Sequence, residues 1–401
     1  MKKYTVELEE QNVRVSYYGE IGTPAYRAAK LILRAIEQAG DGARVLAGYS
    51  ITVEAVVARS DEYAISVDGN EIVATAGGIL GCECIKRYFE KLLAEGSAPR
   101  SVKGCVSKGY EDSNRFAFDL QGDHRVMFYN VLWDNGVMES AWERNIMTPY
   151  VVREFLPSVV GFQECGKRKR AECHVHDIAL EMTKMGYVET PVEVKNEYHD
   201  VNCTPLFFDP ELVEYLDGAY YWYRNQAVDV HRMDRSSKSL TWGLFKDKKS
   251  GEKYVVVSTH MCTQDDSIRE VQAGEACELF ATLHEKYGVP IILGGDFNST
   301  VKQKGYLYFH ETMGYPSALK EATVATCDTM TYHPYPALDF SLGMVMPTSG
   351  AILHAPERSV DHVLYPYMEK DFETRVYGVV VNDYTLATSD HFPIFVDFCI
   401  H

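Results

Sequence analysis

The feature that most constrains the fold is a series of short apolar segments, each associated with a carboxylate, an amide or an imidazole at its end. Six such segments lie between residues 126 and 398, and their polar residues are Asn130, Glu164, His260, Asp296 with Asn298, Asp361, and Asp390 with His391. Short apolar runs are typical of buried strands, and the loops at strand ends are rigidly held sites for functional side chains. The pattern predicts an α/β (α+β) fold in which two packed sheets are flanked by helices.

The chain of 401 residues is too long for one ordinary core, so two domains are expected. We assign residues 1–97 to a small α/β sandwich that serves as an accessory domain, 98–123 to a linker and 124–401 to the main domain. In the first domain, Thr23–Ala39 and Gly77–Leu93 have helical periodicity, and Asn12–Tyr18 alternates like a strand. The turn Asp68-Gly69-Asn70 predicts a hairpin between Tyr63–Val67 and Glu71–Ala74.

The main domain is expected to interleave strands and helices without a repeat. The predicted strands are Val126–Val131, Val159–Phe162, Tyr254–Thr259, Pro290–Leu293, Asp361–Leu364 and Phe392–Phe398, and the predicted helices are Ala141–Phe155 and Glu172–Met185. The chain has neither an apolar leader at its start nor a run of about 18 apolar residues, so we expect a cytoplasmic protein without a membrane span.

The formal charge of −17 limits the classes of partner. Proteins that hold long nucleic acids use many Lys and Arg residues against phosphates. An acidic chain therefore favours a phosphorylated small molecule or a short nucleic acid as substrate.

The residue types at the strand ends suit hydrolysis of a phosphoester. Because the substrate is anionic, a hard cation such as Mg²⁺ (or Mn²⁺) is needed, and carboxylates such as Glu164 and Asp390 are its preferred ligands. Asp296 can orient or deprotonate the attacking water. The remaining candidates are two amides that stabilise charge on the phosphate and imidazoles that act in proton transfer. These are Asn130 and Asn298, His391 held by Asp361, and His260.

The order of these motifs, above all Gly-Asp-Phe-Asn at 295–298 and Ser-Asp-His at 389–391, resembles the endonuclease/exonuclease/phosphatase superfamily over about residues 124–401. The resemblance implies a four-layer α/β sandwich with the site at one end of the two sheets. It implies the metal, water-activating and phosphate-stabilising roles given above, and a substrate-binding role for Asn202. Leu132 stands where abasic-site enzymes have an Asp, which argues against DNA repair.

Two questions stay open, one on a basic segment and one on the function of the protein. The basic run Lys167–Arg170 either begins a solvated helix or binds a substrate phosphate, in which case Lys167 and Arg168 contact substrate. Residues 1–97 resemble the small domain that precedes catalytic barrels in several glycoside hydrolases. The protein is therefore either a phosphodiesterase, nuclease or phosphatase, or a glycan-associated protein that contacts carbohydrate through residues 1–97, with hydrolysis secondary or lost.

Overall fold

A computed structural model gives the arrangement of most of the chain. The residues that it describes are 3–18, 23–55, 62–76, 79–105, 120–132, 141–165, 178–194, 202–225, 238–325, 329–332, 338–339, 344–345, 355–368, 372–381, 385 and 388–400.

The first sheet has six strands in the order β1-β2-β3-β5-β4-β6. Its elements are β1 (Lys3–Leu8), β2 (Val13–Tyr18), α1 (Pro24–Ala39), a 3-10 helix (Gly40–Leu46), β3 (Ser50–Ala55), β4 (Glu62–Asp68), β5 (Glu71–Ala76), α2 (Ile79–Glu95) and β6 (Val102–Cys105). Helices α1 and α2 pack against each other and against this sheet, where apolar side chains such as Ile36 and Phe89 meet Val15 and Ile51. The helix α1 begins where predicted, because Thr23 caps its amino terminus, and it ends at Gly40 with φ of 50°.

The rest of the described chain forms two further sheets and a small two-stranded ribbon. The seven-stranded sheet has the order β15-β19-β20-β7-β8-β10-β9, and the five-stranded sheet has the order β11-β12-β13-β14-β18. The strands are β7 (His124–Asn130), β8 (Val159–Gln163), β9 (Val188–Glu189), β10 (Leu206–Phe208), β11 (Val213–Trp222), β12 (Ser239–Asp247), β13 (Lys253–His260), β14 (Ile291–Asp296), β15 (Val324–Ala325), β16 (Leu338–Asp339), β17 (Met344–Val345), β18 (Asp361–Tyr367), β19 (Phe372–Val379) and β20 (Ile394–Ile400). The helices are α3 (Ala141–Phe155), α4 (Ile178–Lys184), α5 (Asp266–Tyr287), α6 (Lys304–Leu307) and α7 (Ala318–Glu321), with a π-helical turn at Tyr308–Thr312 and a 3-10 turn at Pro356–Arg358.

These two sheets pack face to face, and each has helices on its outer face. On the outer face of the seven-stranded sheet, Val152 of α3 and Met182 of α4 join a core with Phe162. On the outer face of the five-stranded sheet, Phe280 of α5 packs in a core with Val257. The result is the expected four-layer sandwich of two packed sheets flanked by helices.

Glycines permit the close approach of the two inner faces. A Cβ atom on Gly161 would lie 2.7 Å from Ser258 Cβ, and one on Gly294 would lie 2.2 Å from Phe128 Cε2. Both pairs join one sheet to the other. A larger residue at either glycine would push the sheets apart next to the strand ends that carry the site.

One strand of the first sheet lies within the predicted linker, and the division into domains stays a prediction. Residues Val102–Cys105 lie within the predicted linker 98–123 but form β6, which pairs antiparallel with β4. The segment is too short and too polar to be recognised as a strand, yet the otherwise unpaired edge of β4 supplies its hydrogen-bonding partners. The predicted hairpin is confirmed as β4–β5, and the six strands predicted in the main domain are confirmed with small shifts at their ends. None of the described helices is long and apolar enough to cross a membrane.

Candidate active site

The candidate residues of the five-stranded sheet lie in one row across its strands. In the sheet register, Asp361 at the start of β18 is paired with Asp296 at the end of β14, and Asp296 is paired with His260 at the end of β13. His260 is paired in turn with Ser239, the first residue of β12. Neighbouring strands are about 4.8 Å apart, so the register alone brings these side chains together.

A second row lies on the seven-stranded sheet. Asn130 at the end of β7 is paired with Gln163 at the end of β8, and Glu164 follows directly. On the other side of β7, Ser389 donates a hydrogen bond to the Asn130 carbonyl over 2.6 Å, which fixes the turn that carries His391. Because the two sheets pack face to face, the rows oppose each other at one end of the sandwich.

The first opposed pair is His391 and Asp361, as predicted. His391 Nδ1 lies 2.9 Å from Asp361 Oδ2, and both side chains are buried. Burial lowers the pKa of His391, but the Asp361 carboxylate outweighs burial and raises the pKa to about 10. The imidazolium form is therefore strongly stabilised here.

The second opposed pair is Asn130 and Asp296. Asn130 Nδ2 donates to Asp296 Oδ2 over 3.0 Å, and His391 Nε2 lies 3.9 Å from the same oxygen. Burial raises the pKa of Asp296, but the hydrogen bond and charge of His260 outweigh it and hold the pKa below its usual range. Asn298 lies beside this carboxylate, since its backbone N–H donates to Asp296 Oδ1 over 2.7 Å.

The third opposed pair is His260 and Glu164. His260 Nε2 lies 3.8 Å from Glu164 Oε1 and 3.3 Å from Asp296 Oδ2. These three side chains form one group that could hold a metal ion, and Asp296, Asp361 and His391 form another.

Asp390 adds a fourth carboxylate to the site. Burial raises its pKa to about 6, with His391 opposing the shift and Glu164 adding to it. Carboxylate oxygens that repel one another in this way are the hard donors that Mg²⁺ or Mn²⁺ prefers. The residues present therefore fit a divalent ion.

The backbone is strained at three positions next to these side chains. Leu132, Glu164 and Asn298 have φ of 58°, 59° and 49°, in the left-handed region that non-glycine residues rarely adopt. Each follows a central strand of one of the two sheets. Such strain costs about 1–3 kcal/mol per residue and is concentrated at functional sites.

Sequence reasoning missed two residues that the structure brings to the site. Lys238 is buried, and its Nζ contacts His260 Nε2. Tyr332 forms an isolated bridge with His391, and the two rings lie 4.9 Å apart. The position of Lys238 just before an apolar strand could have identified it, because Asp361 and His391 also stand at or before the start of a strand.

The three predicted substrate-binding residues have different outcomes. Asn202 is buried beside the site, where its Oδ1 accepts from Thr204 N over 2.9 Å and from Thr241 Oγ1 over 3.0 Å. Lys167 and Arg168 lie outside the described residues, as does the first part of the helix predicted at Glu172–Met185.

Comparison with known proteins gives matches in structure only. No protein-family model and no curated protein matches the sequence. An endonuclease/exonuclease/phosphatase family protein from Bacteroides thetaiotaomicron is 19% identical with a TM-score of 0.52, and the match covers 69% of this chain and 94% of that one. A mannosyl-6-phosphatase from the same organism is 18% identical with a TM-score of 0.52, covering 69% of this chain and 99% of that one. A family protein from Bacteroides vulgatus is also 18% identical, with a TM-score of 0.52 and coverage of 69% and 99%. The chain has the fold of the endonuclease/exonuclease/phosphatase superfamily.

Proposed function

We propose that the protein is a Mg²⁺-dependent phosphoester hydrolase. The observation that carries this proposal is the set of three opposed pairs at one end of the sandwich. Together they supply a buried carboxylate, an imidazole held by a second carboxylate, and an amide, next to the amide of Asn298 and to further carboxylates that fit a metal ion.

Glu164 and Asp390 are the proposed ligands of Mg²⁺ or Mn²⁺. When bound, the ion supplies charge compensation for the anionic ester and polarises the phosphoryl oxygen. The raised pKa of Asp390 supports this role, since carboxylates that repel each other in the free protein gain most from a cation.

Asp296 is the proposed group that orients the attacking water and accepts its proton. Its low pKa keeps it ionised at neutral pH, and Asn130 holds it in place. The amides of Asn130 and Asn298 then face charge that develops on the phosphoryl group.

His391 and His260 are the proposed imidazoles of the reaction. With a pKa of about 10, His391 is protonated at neutral pH, so it binds a phosphate oxygen and can donate its proton to the leaving oxygen. Asp361 orients the ring through Nδ1, which leaves Nε2 towards Asp296 and the substrate. His260 lies between Glu164 and Asp296, where it can contact a non-bridging oxygen.

The proposed substrate is a phosphorylated small molecule, with a short nucleic acid as the second candidate. The charge of −17 supports the first, and the mannosyl-6-phosphatase that shares the fold makes a sugar phosphate the first compound to test. Residues 1–97 are proposed as an accessory domain that contacts carbohydrate; the domain division and the cytoplasmic location stay predictions.

The test is turnover of a defined panel by the purified protein, with Asp296→Asn as the control for contaminating phosphatases. The panel holds a sugar 6-phosphate, a mononucleotide, a single-stranded oligonucleotide and two chromogenic aryl esters, each with EDTA, Mg²⁺ or Mn²⁺. We expect metal-dependent turnover of at least one phosphoester by the wild type and not by the variant. Absence of turnover across the panel, or equal turnover in Asp296→Asn, overturns the proposal.

A further inference from the structure

The two opposed rows continue by one strand on each sheet beyond His260 and Glu164. On the five-stranded sheet, Lys238 directly precedes Ser239, which is the register partner of His260. On the seven-stranded sheet, Asn202 directly precedes the segment that leads into β10, the neighbour of β8. The two sides meet, because Thr204 Oγ1 and Ser239 Oγ lie 3.1 Å apart. Lys238 and Asn202 thus form a fourth position in the two rows, next to the pair of His260 and Glu164.

Lys238 brings a positive charge into the interior at this position. Its side chain is more than nine-tenths buried, and its Nζ contacts His260 Nε2. Burial lowers its pKa, while the carboxylates of Glu164 and Asp296 oppose that shift. A buried ammonium is costly unless it has a partner of opposite charge. Of the two carboxylates that act on Lys238, Glu164 is also a proposed ligand of the metal ion.

Asn202 offers a donor at the same position. Its Oδ1 is occupied, since it accepts from Thr204 N and Thr241 Oγ1. Its Nδ2 is buried and has no hydrogen-bond partner among the residues that the structure describes. A buried N–H₂ without an acceptor is unfavourable, so this atom can donate to an acceptor that a ligand supplies.

The donors at this position match an anion rather than a cation. An ammonium and an amide N–H₂ bind oxygen acceptors, in contrast to the carboxylates at the neighbouring positions.

The charge on the phosphoryl group determines which ester is bound more strongly by Lys238. A phosphomonoester dianion carries two charges and a diester carries one, so the Coulomb interaction with Lys238 is about twice as large for the monoester.

We propose that Lys238 and Asn202 form an anion subsite for the non-reacting oxygens of a phosphomonoester dianion, and that this subsite makes the enzyme select monoesters over diesters. The inference rests on the proposed hydrolase function and deepens it by naming the substrate class. A diester has an esterified oxygen where the monoester has a charged one, so it gains less at the subsite.

The test compares one monoester with one diester on the same variants. We measure kcat/KM for 4-nitrophenyl phosphate and bis(4-nitrophenyl) phosphate in Mg²⁺, for the wild type and for Lys238→Met. This change keeps an unbranched side chain only one atom shorter and removes the charge. If the loss for the diester is about 10-fold, the loss for the monoester should be about its square, near 100-fold, because the interaction scales with ligand charge. Lys253→Met, at an exposed position at the far end of β13, is the matched control and should change neither value.

Binding of inorganic phosphate gives a readout that does not depend on turnover. Titration calorimetry should show a Kd that is at least about 10-fold weaker in Lys238→Met than in the wild type. Circular dichroism and thermal unfolding establish that the variant is folded, because removing one partner from a set of buried charges can destabilise a protein. Should Lys238→Met not fold, Asn202→Asp serves in its place, since it keeps the occupied Oδ1 and replaces the free donor with a repelling oxygen.

The outcomes separate this inference from the proposed function. Equal losses for monoester and diester, or an unchanged Kd for phosphate in the folded variant, overturn the subsite. If the wild type hydrolyses neither ester, the result counts against the hydrolase function. In that case the Kd for inorganic phosphate still tests whether Lys238 and Asn202 bind an anion.

Discussion

Replacing Asp361 with Asn isolates the contribution of one charge to the proposed proton transfer. The two side chains have nearly the same shape, and the amide oxygen can still accept a hydrogen bond from His391 Nδ1. What is lost is the negative charge 2.9 Å from that nitrogen, in a pair that is almost fully buried. The geometry is therefore kept while the electrostatic support of the imidazolium is removed.

The expected change in the pKa of His391 follows from the strength of its hydrogen bond to the charged Asp361 carboxylate. A hydrogen bond to a charged group contributes about 1.5–3 kcal/mol, and one pKa unit corresponds to about 1.4 kcal/mol. In Asp361→Asn the pKa of His391 should therefore fall by about one to two units from its value of about 10. Turnover should fall by about 10²–10⁴-fold, as is typical for loss of support to a general acid or base.

The same pair affects stability in a defined pH window. Because the pKa of His391 in the folded protein lies above about 6.5, the value for an unfolded chain, its stabilising contribution is complete below that pH. The contribution is lost as the pH rises towards about 10. The free energy of unfolding of Asp361→Asn should consequently depend less on pH across this window than that of the wild type.

The assay is a histidine titration by NMR on metal-free protein in EDTA, with urea unfolding across the same pH range. Asp265→Asn is the control, because Asp265 is an exposed helix cap and Asn caps a helix equally well. A pKa of His391 that does not move in Asp361→Asn would refute the assignment of its shift to this carboxylate. A lowered pKa with wild-type turnover would refute the role of the pair in catalysis.

Two further predictions concern the interior strand β14. Asp296→Asn should lower kcat by about 10²–10⁴-fold while the circular dichroism spectrum stays that of the wild type, and near-normal steady-state turnover of the folded variant would contradict the mechanism. Gly294→Ala should lower the free energy of unfolding by about 1–3 kcal/mol, because the new methyl group would lie 2.2 Å from the Phe128 ring. Gly42→Ala, whose methyl group would meet its nearest neighbour at 3.6 Å, should differ little from the wild type in the same urea titration.

The sequence indicated which strand ends come together better than it indicated how the two sheets face each other. The pairing of His391 with Asp361 and the closeness of Asn130, Glu164, His260 and Asp296 are confirmed as contacts, since strand ends in one register are forced together. The chemical roles of these residues stay predictions. No local pattern indicates which strand of one sheet faces which strand of the other, because that depends on long-range packing such as Phe128 against Gly294.

Two strands that sequence reasoning missed in the first sheet have weak local signals. The strands β1 and β6 are the two edges of the first sheet, and β1 alternates between exposed and half-buried residues rather than burying a full face. The left-handed backbone at Glu164 is likewise invisible in the sequence, since nothing in the residue type favours it. Lys238 was missed because its partner His260 is 22 residues away and only the β12–β13 register joins them.

The most direct test of the metal-dependent site is the Mg²⁺ dependence of turnover in wild-type protein and in Glu164→Gln. Glu164 lies in a group of side chains that could hold a metal ion, and Gln keeps its shape while removing the charge that attracts the cation. After chelation the wild type should be inactive. Adding Mg²⁺ should restore turnover of the phosphoester that it hydrolyses fastest in the panel. Glu164→Gln should need at least about 10-fold more Mg²⁺ for half-maximal turnover. Turnover that survives exhaustive chelation, or the same Mg²⁺ dependence in both proteins, would contradict the account.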